Sequence, residues 1–322
     1  MLTWLLTRAK ASIFATFRES TRVYLTLLRI LIPALIIVKA LEMLGFTLWL
    51  GSVLAPLMGW LGLPETVSIV WAATLLTNIY TGMVLFFEVV RTEALTVAQV
   101  SVLGTLMIVA HALPVEGAIA RHVGAPWWLT LILRIGGSLV LAWVLHEIYR
   151  VGGWLQYPNE LVWQPEDTGQ SLVDWALVQG QTLATIFFVI LALITLLKLF
   201  RFLGIERVLH LLLYPFLRLL GLSRAAANTI VIGAMLGLSF GGGLLIQESR
   251  TGKLSPRDAL LAMSFLGLCH SLIEDTLLIM LLGADLSAVL WARLLFAFLV
   301  IGLLSRLPER FLTYGLQTAT SR

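Results

Sequence analysis

The stretch FLGLCHSLIEDTLLIM, residues 265–280, decides how the chain is read. Its outer thirds are apolar enough for a membrane helix. Its middle holds Cys269, His270, Glu274 and Asp275. An ionisable group in hydrocarbon costs several kcal/mol unless something pairs with it. The polar cluster therefore needs partners, and the rest of the chain supplies candidates.

The chain has 322 residues, of which 59% are hydrophobic and only 12% charged. Its mean hydropathy is +0.94. Soluble domains carry about 25% charged residues, so a soluble globule is excluded. Apolar runs of about 20 residues, without ten-residue alternation, indicate an all-α integral membrane protein rather than a β-barrel. Such a chain has the lipid bilayer as its first partner, and nothing suggests nucleic acid. One cysteine excludes an internal disulfide and an all-cysteine metal site. Residues 1–22 carry Arg8, Lys10, Arg18 and Arg22. They are expected to form a basic amphipathic helix on the membrane surface, because the first apolar stretch is too short for a signal sequence.

His270 has a counterpart 159 residues earlier, His111. The same offset pairs Lys39 with Lys198, Gly45 with Gly204, Pro56 with Pro215 and Gly62 with Gly221. It pairs Gly82 with Gly241, Arg91 with Arg250, Thr92 with Thr251, Gly124 with Gly283 and Arg134 with Arg293. Glu116 falls on Asp275, and no gap is needed. The chain is a tandem duplication, with a first repeat over 23–149, a linker over 150–179, a second repeat over 180–306 and a tail over 307–322. Each copy holds four apolar segments: 23–48, 66–88, 97–119 and 127–149 in the first, 180–202, 225–247, 258–281 and 287–306 in the second.

Charge sets the topology. Short cytoplasmic loops are rich in Lys and Arg. Residues 49–66 contain no basic residue, whereas 201–224 carry Arg201, Arg207, Arg218 and Arg224. Equivalent loops thus lie on opposite faces, and the repeats are inverted. The linker GGWLQYPNELVWQPEDTGQSLVDW, 152–175, has no Lys or Arg and is expected outside. Both termini are basic and expected in the cytoplasm, across a bacterial cytoplasmic membrane. Inversion requires an odd number of crossings, so one of the four segments should enter and leave on the same side. The second segment is the candidate. It is expected to break at TNIYTG in copy one and at Gly241-Gly242-Gly243 in copy two, because Asn and Gly permit a turn. Each repeat then has about three spanning helices and a re-entrant or broken hairpin.

Inverted repeats with broken segments at the midplane characterise secondary transporters. The expected solute-binding residues are Asn78, Tyr80 and Thr81 on one tip and Ser239, Gly241 and Gly242 on the other. His111, Glu116, His270, Glu274 and Asp275 join them from the third segments. Glu274 lies four residues after His270, on one helical face, and Pro114 in HALPVEG breaks the helix between His111 and Glu116. A histidine and a carboxylate, twice, suit three tasks. They can bind a divalent metal through His111, Glu116, His270 and Glu274. They can relay protons. They can also neutralise Arg134 and Arg293 inside the membrane. Cys269 faces Ala110 in the other copy and reads as a packing residue.

The duplicated unit, with TNIYTG and LSFGGG in its second segments and HALPVE and HSLIED in its third, resembles the Gate or "nucleoside recognition" membrane domain. That domain occurs in ferrous-iron transporters and spore maturation proteins, and more distantly in concentrative nucleoside transporters. The resemblance covers residues 25–305 and implies hairpins around a central site. It implies no substrate. The chain lacks the GxxxxGK[ST] phosphate loop of a GTPase partner domain. The leading expectation is a gradient-driven transporter of a small polar or ionic solute. Its cofactors are none, beyond a bound divalent metal or a coupling proton or sodium ion. The alternatives are a divalent-metal permease, such as one for ferrous iron, and a non-transporting scaffold or assembly factor. No nucleophile–base arrangement or HExxH spacing supports an enzyme. A homodimer would cover the lipid-facing flank of so thin a bundle.

Overall fold

The computed structural model of the chain describes residues 2–161 and 171–308. Within these the side chains of residues 2–13, Ser239 and a few others are not described. The tail beyond 308 and linker residues 162–170 lie outside the described residues.

The described chain is helical, with no strand among the described residues beyond one isolated bridge between Thr96 and Pro158. Copy one runs α1 Leu2–Met43, α2 Phe46–Trp60, α3 Ser68–Leu76, α4 Ile79–Val89, α5 Val97–Val109, α6 Leu113–Val123, α7 Trp127–Leu131 and α8 Gly137–Gly152. Copy two runs α9 Leu172–Phe202, α10 Ile205–Leu219, α11 Arg224–Leu236, α12 Leu238–Arg250, α13 Pro256–Leu268, α14 Glu274–Met280 and α15 Arg293–Leu304. The 159-residue offset carries α2 onto α10 and α5 onto α13 end for end. It also carries backbone oddities across. Ala112 and Ser271 both have φ 46°, and Gly124 and Gly283 are both left-handed.

Among the described residues four helices are long and apolar enough to cross a membrane, or up to six spans if each bent pair counts as one. Their exposed faces carry Val140, Phe188, Leu295 and Leu299, as lipid contact requires. Helices α1 and α9 are repeat mates and pack on each other. Tyr24 Oη donates to the carbonyl of Leu183, its own mate, at 3.0 Å. Lys198 near the end of α9 meets Glu19 at 2.6 Å in the first half of α1. The two helices therefore run antiparallel, as inverted repeats demand. Residues 2–43 form one unbroken helix. No break separates the expected surface segment 1–22 from the first span.

The second segments are hairpins. Helix α3 packs against α4, and α11 against α12. The turn in copy one is at Thr77–Asn78. Asn78 caps α4, its Oδ1 accepting from the Thr81 amide at 3.0 Å. The turn in copy two is at Gly237, the mate of Asn78, with φ 83° and ψ 171°. A side chain resists that backbone, so glycine is required there. The expectation that Gly241–Gly243 form the tip is corrected. They lie inside α12, where a Cβ on Gly241 would fall 2.5 Å from Gly233 Cα and one on Gly242 2.5 Å from Ile119 Cγ2. These two glycines let helices approach closely, a packing role.

The third segments break in the middle. Helices α5 and α6 meet at 43°, and α13 stops at Leu268 before α14 begins at Glu274. Amide Ala112 N–H donates to the Thr74 carbonyl at 3.1 Å, and Leu272 N–H to Ala234 at 2.6 Å. Each broken turn thus rests on its own hairpin. The fourth segments carry π-helical stretches, 132–136 and 287–292, that contain or adjoin Arg134 and Arg293. Both arginines are buried.

Candidate functional site

The breaks bring the two histidines, mates at the 159-residue offset, into contact. His111 Nδ1 lies 3.1 Å from the Met107 carbonyl, and His270 Nδ1 lies 2.7 Å from the Leu266 carbonyl. A carbonyl only accepts, so both Nδ1 atoms carry hydrogen. In the neutral rings the two Nε2 atoms are then lone-pair acceptors, and they face each other at 3.1 Å. Both side chains are buried. Two lone pairs at that distance repel unless a proton or a cation lies between them.

Carboxylates close the centre. Glu116 Oε1 stands 3.1 Å from His111 Nε2 and 3.4 Å from His270 Nε2. Asp275 Oδ2 stands 4.0 Å from the first nitrogen and 3.9 Å from the second. His111, His270 and Asp275 present their ligand atoms within 4.8 Å of one another. With the nitrogens 3.1 Å apart, one point lies about 2.1 Å from both nitrogens and the Asp275 oxygen, a metal–ligand bond length.

The arginines are wholly buried and treat the two acids differently. Arg134 Nη1 is hydrogen-bonded to Glu116 Oε2, and its Nη2 donates to the His111 carbonyl at 2.7 Å. Arg293 Nε donates to the Leu268 carbonyl at 3.0 Å and Nη2 to the His270 carbonyl at 2.8 Å. Arg293 Nη1 and Asp275 Oδ2 have no hydrogen-bond partner. Glu274 points elsewhere and accepts from Tyr80 Oη at 3.2 Å. Glu116 and Asp275 are thus the two carboxyls at the histidine pair, beside two guanidinium groups.

Of the expected binding residues, the structure unites His111, Glu116, His270 and Asp275, with Tyr80 and Glu274 beside them. It moves Glu274 out of the ligand set and puts Asp275 in. The helical spacing from His270 to Glu274 does not apply, because the chain turns at Ser271. Asn78 and Thr81 serve the cap of α4, and the Asn78 Nδ2 is buried without a partner. Gly241 and Gly242 are packing residues. The side chain of Ser239 lies outside the described residues. Cys269 is buried beside the centre and pairs with none of the ligand atoms. The carbonyls of Met107, Leu266, His111 and His270, which fix the imidazoles and the arginines, gave no sequence signal. The Tyr80–Glu274 contact was equally hidden.

A curated relative, the uncharacterized membrane protein YvoD of Bacillus subtilis (strain 168), is 27% identical over 281 residues, covering 85% of this chain and 88% of the relative. No family model matches the chain. No solved structure matches it. The all-α fold, the apolar spans and this similarity make the chain a multi-pass membrane protein.

Proposed function

We propose that this protein is a divalent-cation permease of a bacterial cytoplasmic membrane, with both termini in the cytoplasm. Its membrane unit is of the Gate type, and its central site is made by His111, His270 and Asp275, with Glu116 beside them. The observation that carries the reading is the pair of facing Nε2 lone pairs at 3.1 Å, each fixed by an Nδ1–H bond to its own helix. That arrangement is a waiting ligand set. Imidazole nitrogen with carboxylate oxygen suits zinc, iron or nickel better than magnesium or calcium. Without a phosphate loop in the chain, the driving force comes from a gradient or a separate protein.

A second reading rests on the same distance. A 3.1 Å separation suits one shared proton between two imidazoles, which would make the pair a proton carrier. Titration of the purified full-length protein with Co²⁺ separates the two. The permease reading expects visible absorption bands from a low-coordinate nitrogen/oxygen site, lost in His111→Ala and His270→Ala. Wild-type protein that binds no divalent ion but carries His-dependent proton flux in vesicles would replace the first reading by the second.

A further inference from the structure

At the end of the bundle where the linker begins, a cleft of about 110 Å³ opens between the close of α2, the start of α5 and the close of α8. That is room for several water molecules. The cleft is far from the histidine pair. The chain of α5 separates Gln99 from His111 by roughly 18 Å, at a rise of about 1.5 Å per residue. Gly62 shapes the wall. It is left-handed, and a Cβ on it would fall 2.0 Å from His146 Cε1 and 2.2 Å from His146 Nδ1. The imidazole therefore rests on the glycine, where a larger residue would displace it. Trp60 precedes this wall and Trp143 lies one turn before His146. The two indoles stack at 5.7 Å and are exposed, as tryptophans at the level of lipid headgroups are.

The equivalent place in copy two is filled. Ala98 and His146 both line the cleft, and their mates at the 159-residue offset are Arg257 and Ser305. Arg257 Nη2 donates to the Ser305 carbonyl at 2.8 Å. A long side chain thus crosses, in copy two, the gap that Ala98 leaves in copy one. Most polar atoms around the gap are already engaged. Gln99 Oε1 accepts from the Thr96 amide at 3.0 Å, and Gln99 Nε2 donates to the Gly62 carbonyl at 3.0 Å. Tyr149 Oη is 2.9 Å from Ser287 Oγ. Two lining groups are not engaged. Among the described residues His146 has no hydrogen-bond partner. Glu147 takes Nε and Nη2 of Arg150 and leaves Nη1. Among the described residues no carboxylate lines the cleft.

We infer that this cleft binds a phosphate group, held by Arg150 Nη1 and the His146 imidazole. A guanidinium is weakly hydrated and bonds phosphate oxygens through charge-assisted N–H donors. Imidazole adds a further donor, and a lining with one fixed positive charge and no acid favours an anion. Glu147 holds the guanidinium in place from the side away from the lining. The phosphate has two sources. One is the headgroup of a phospholipid lying against the flank of Trp60 and Trp143, and the other is soluble phosphate entering from the end of the bundle. The site is separate from the histidine pair and does not rest on the cation reading.

The test uses full-length protein purified in a phosphorus-free detergent and buffer. Native mass spectrometry counts phosphatidylglycerol retained per chain, and equilibrium dialysis measures binding of radiolabelled inorganic phosphate. Wild type should hold at least one of the two. Lipid retained without phosphate binding identifies the headgroup as the source, and the reverse identifies the soluble anion. Ala98→Arg gives copy one the side chain that fills the equivalent place in copy two. Arg150→Gln removes the charge at an exposed position, where the fold does not depend on it. Each variant should weaken the bound species at least tenfold while keeping a cooperative thermal transition. Should Ala98→Arg fold poorly, His146→Ser, which installs the residue of copy two, takes its place beside Arg150→Gln. Wild-type protein that holds neither species, or a species held equally well by the folded variants, overturns the inference.

Discussion

His111 Nε2 stands 3.1 Å from His270 Nε2, although the two residues belong to different repeats. Each ring is oriented by a carbonyl four residues back on its own helix, Met107 for one and Leu266 for the other. The breaks after them bend the chain away, so the carbonyls of His111 and His270 are left for Arg134 and Arg293. A duplicated unit of this kind places a histidine twice at the one location where two copies can share a ligand.

The two arginines should not be equivalent in stability. Removing Arg134 strands the Glu116 carboxylate, and breaking one partner of a buried pair costs about 3–5 kcal/mol. Removing Arg293 strands only carbonyl oxygens, at about 1–3 kcal/mol. Arg134→Met should therefore lower the thermal midpoint in detergent more than Arg293→Met, and Glu116→Gln should restore part of the Arg134→Met loss. Equal midpoints for the two arginine variants would show that the Glu116 pair is not formed.

Tyr80→Phe removes the donor to Glu274, a hydrogen bond across the repeat boundary. A bond to a charged acceptor is worth about 1.5–3 kcal/mol. Tyr80→Phe should destabilise by an amount in that range in a Glu274 background. The same change in a Glu274→Leu background should cost little. The double-mutant cycle measures the coupling directly, and additive losses would place Tyr80 away from Glu274.

The duplication, the inversion and the hairpins were legible in the sequence, because each rests on spacing or charge that survives unfolding. His111, His270, Arg134 and Arg293 could be named as a group for the same reason. What could not be read was which acid faces the histidines. That depends on a left-handed residue at Ser271, a conformation a serine does not announce. The hairpin tip was misplaced for a related cause. Three consecutive glycines look like a turn, yet the single Gly237 makes it, and Gly241 and Gly242 serve close packing that only tertiary contacts reveal.

Ser271→Gly and Ala112→Gly test the left-handed turns. Both residues sit at φ 46°, where a side chain costs about 1–2 kcal/mol relative to glycine. Each substitution should leave the fold intact and raise or hold the thermal midpoint, whereas Ser271→Val should lower it. A falling midpoint for both glycine variants would mean that the turns are not left-handed.

The glycines of α12 separate packing from ligand binding most sharply. On Gly241 an added methyl meets backbone, Gly233 Cα at 2.5 Å, and backbone cannot turn aside. Forcing α11 and α12 apart should cost about 1–3 kcal/mol or more, as overpacking does. On Gly243 nothing lies within 4 Å of the added carbon, and alanine gains about 0.5–1 kcal/mol over glycine inside a helix. Gly241→Ala should therefore lower the thermal midpoint and Gly243→Ala should raise it, and the midpoint of each is measured with and without Co²⁺. A cation-induced shift that persists in Gly241→Ala would show that the glycine spaces two helices and takes no part in holding the cation. Its disappearance in a protein that is still folded would return the glycine run to the binding site.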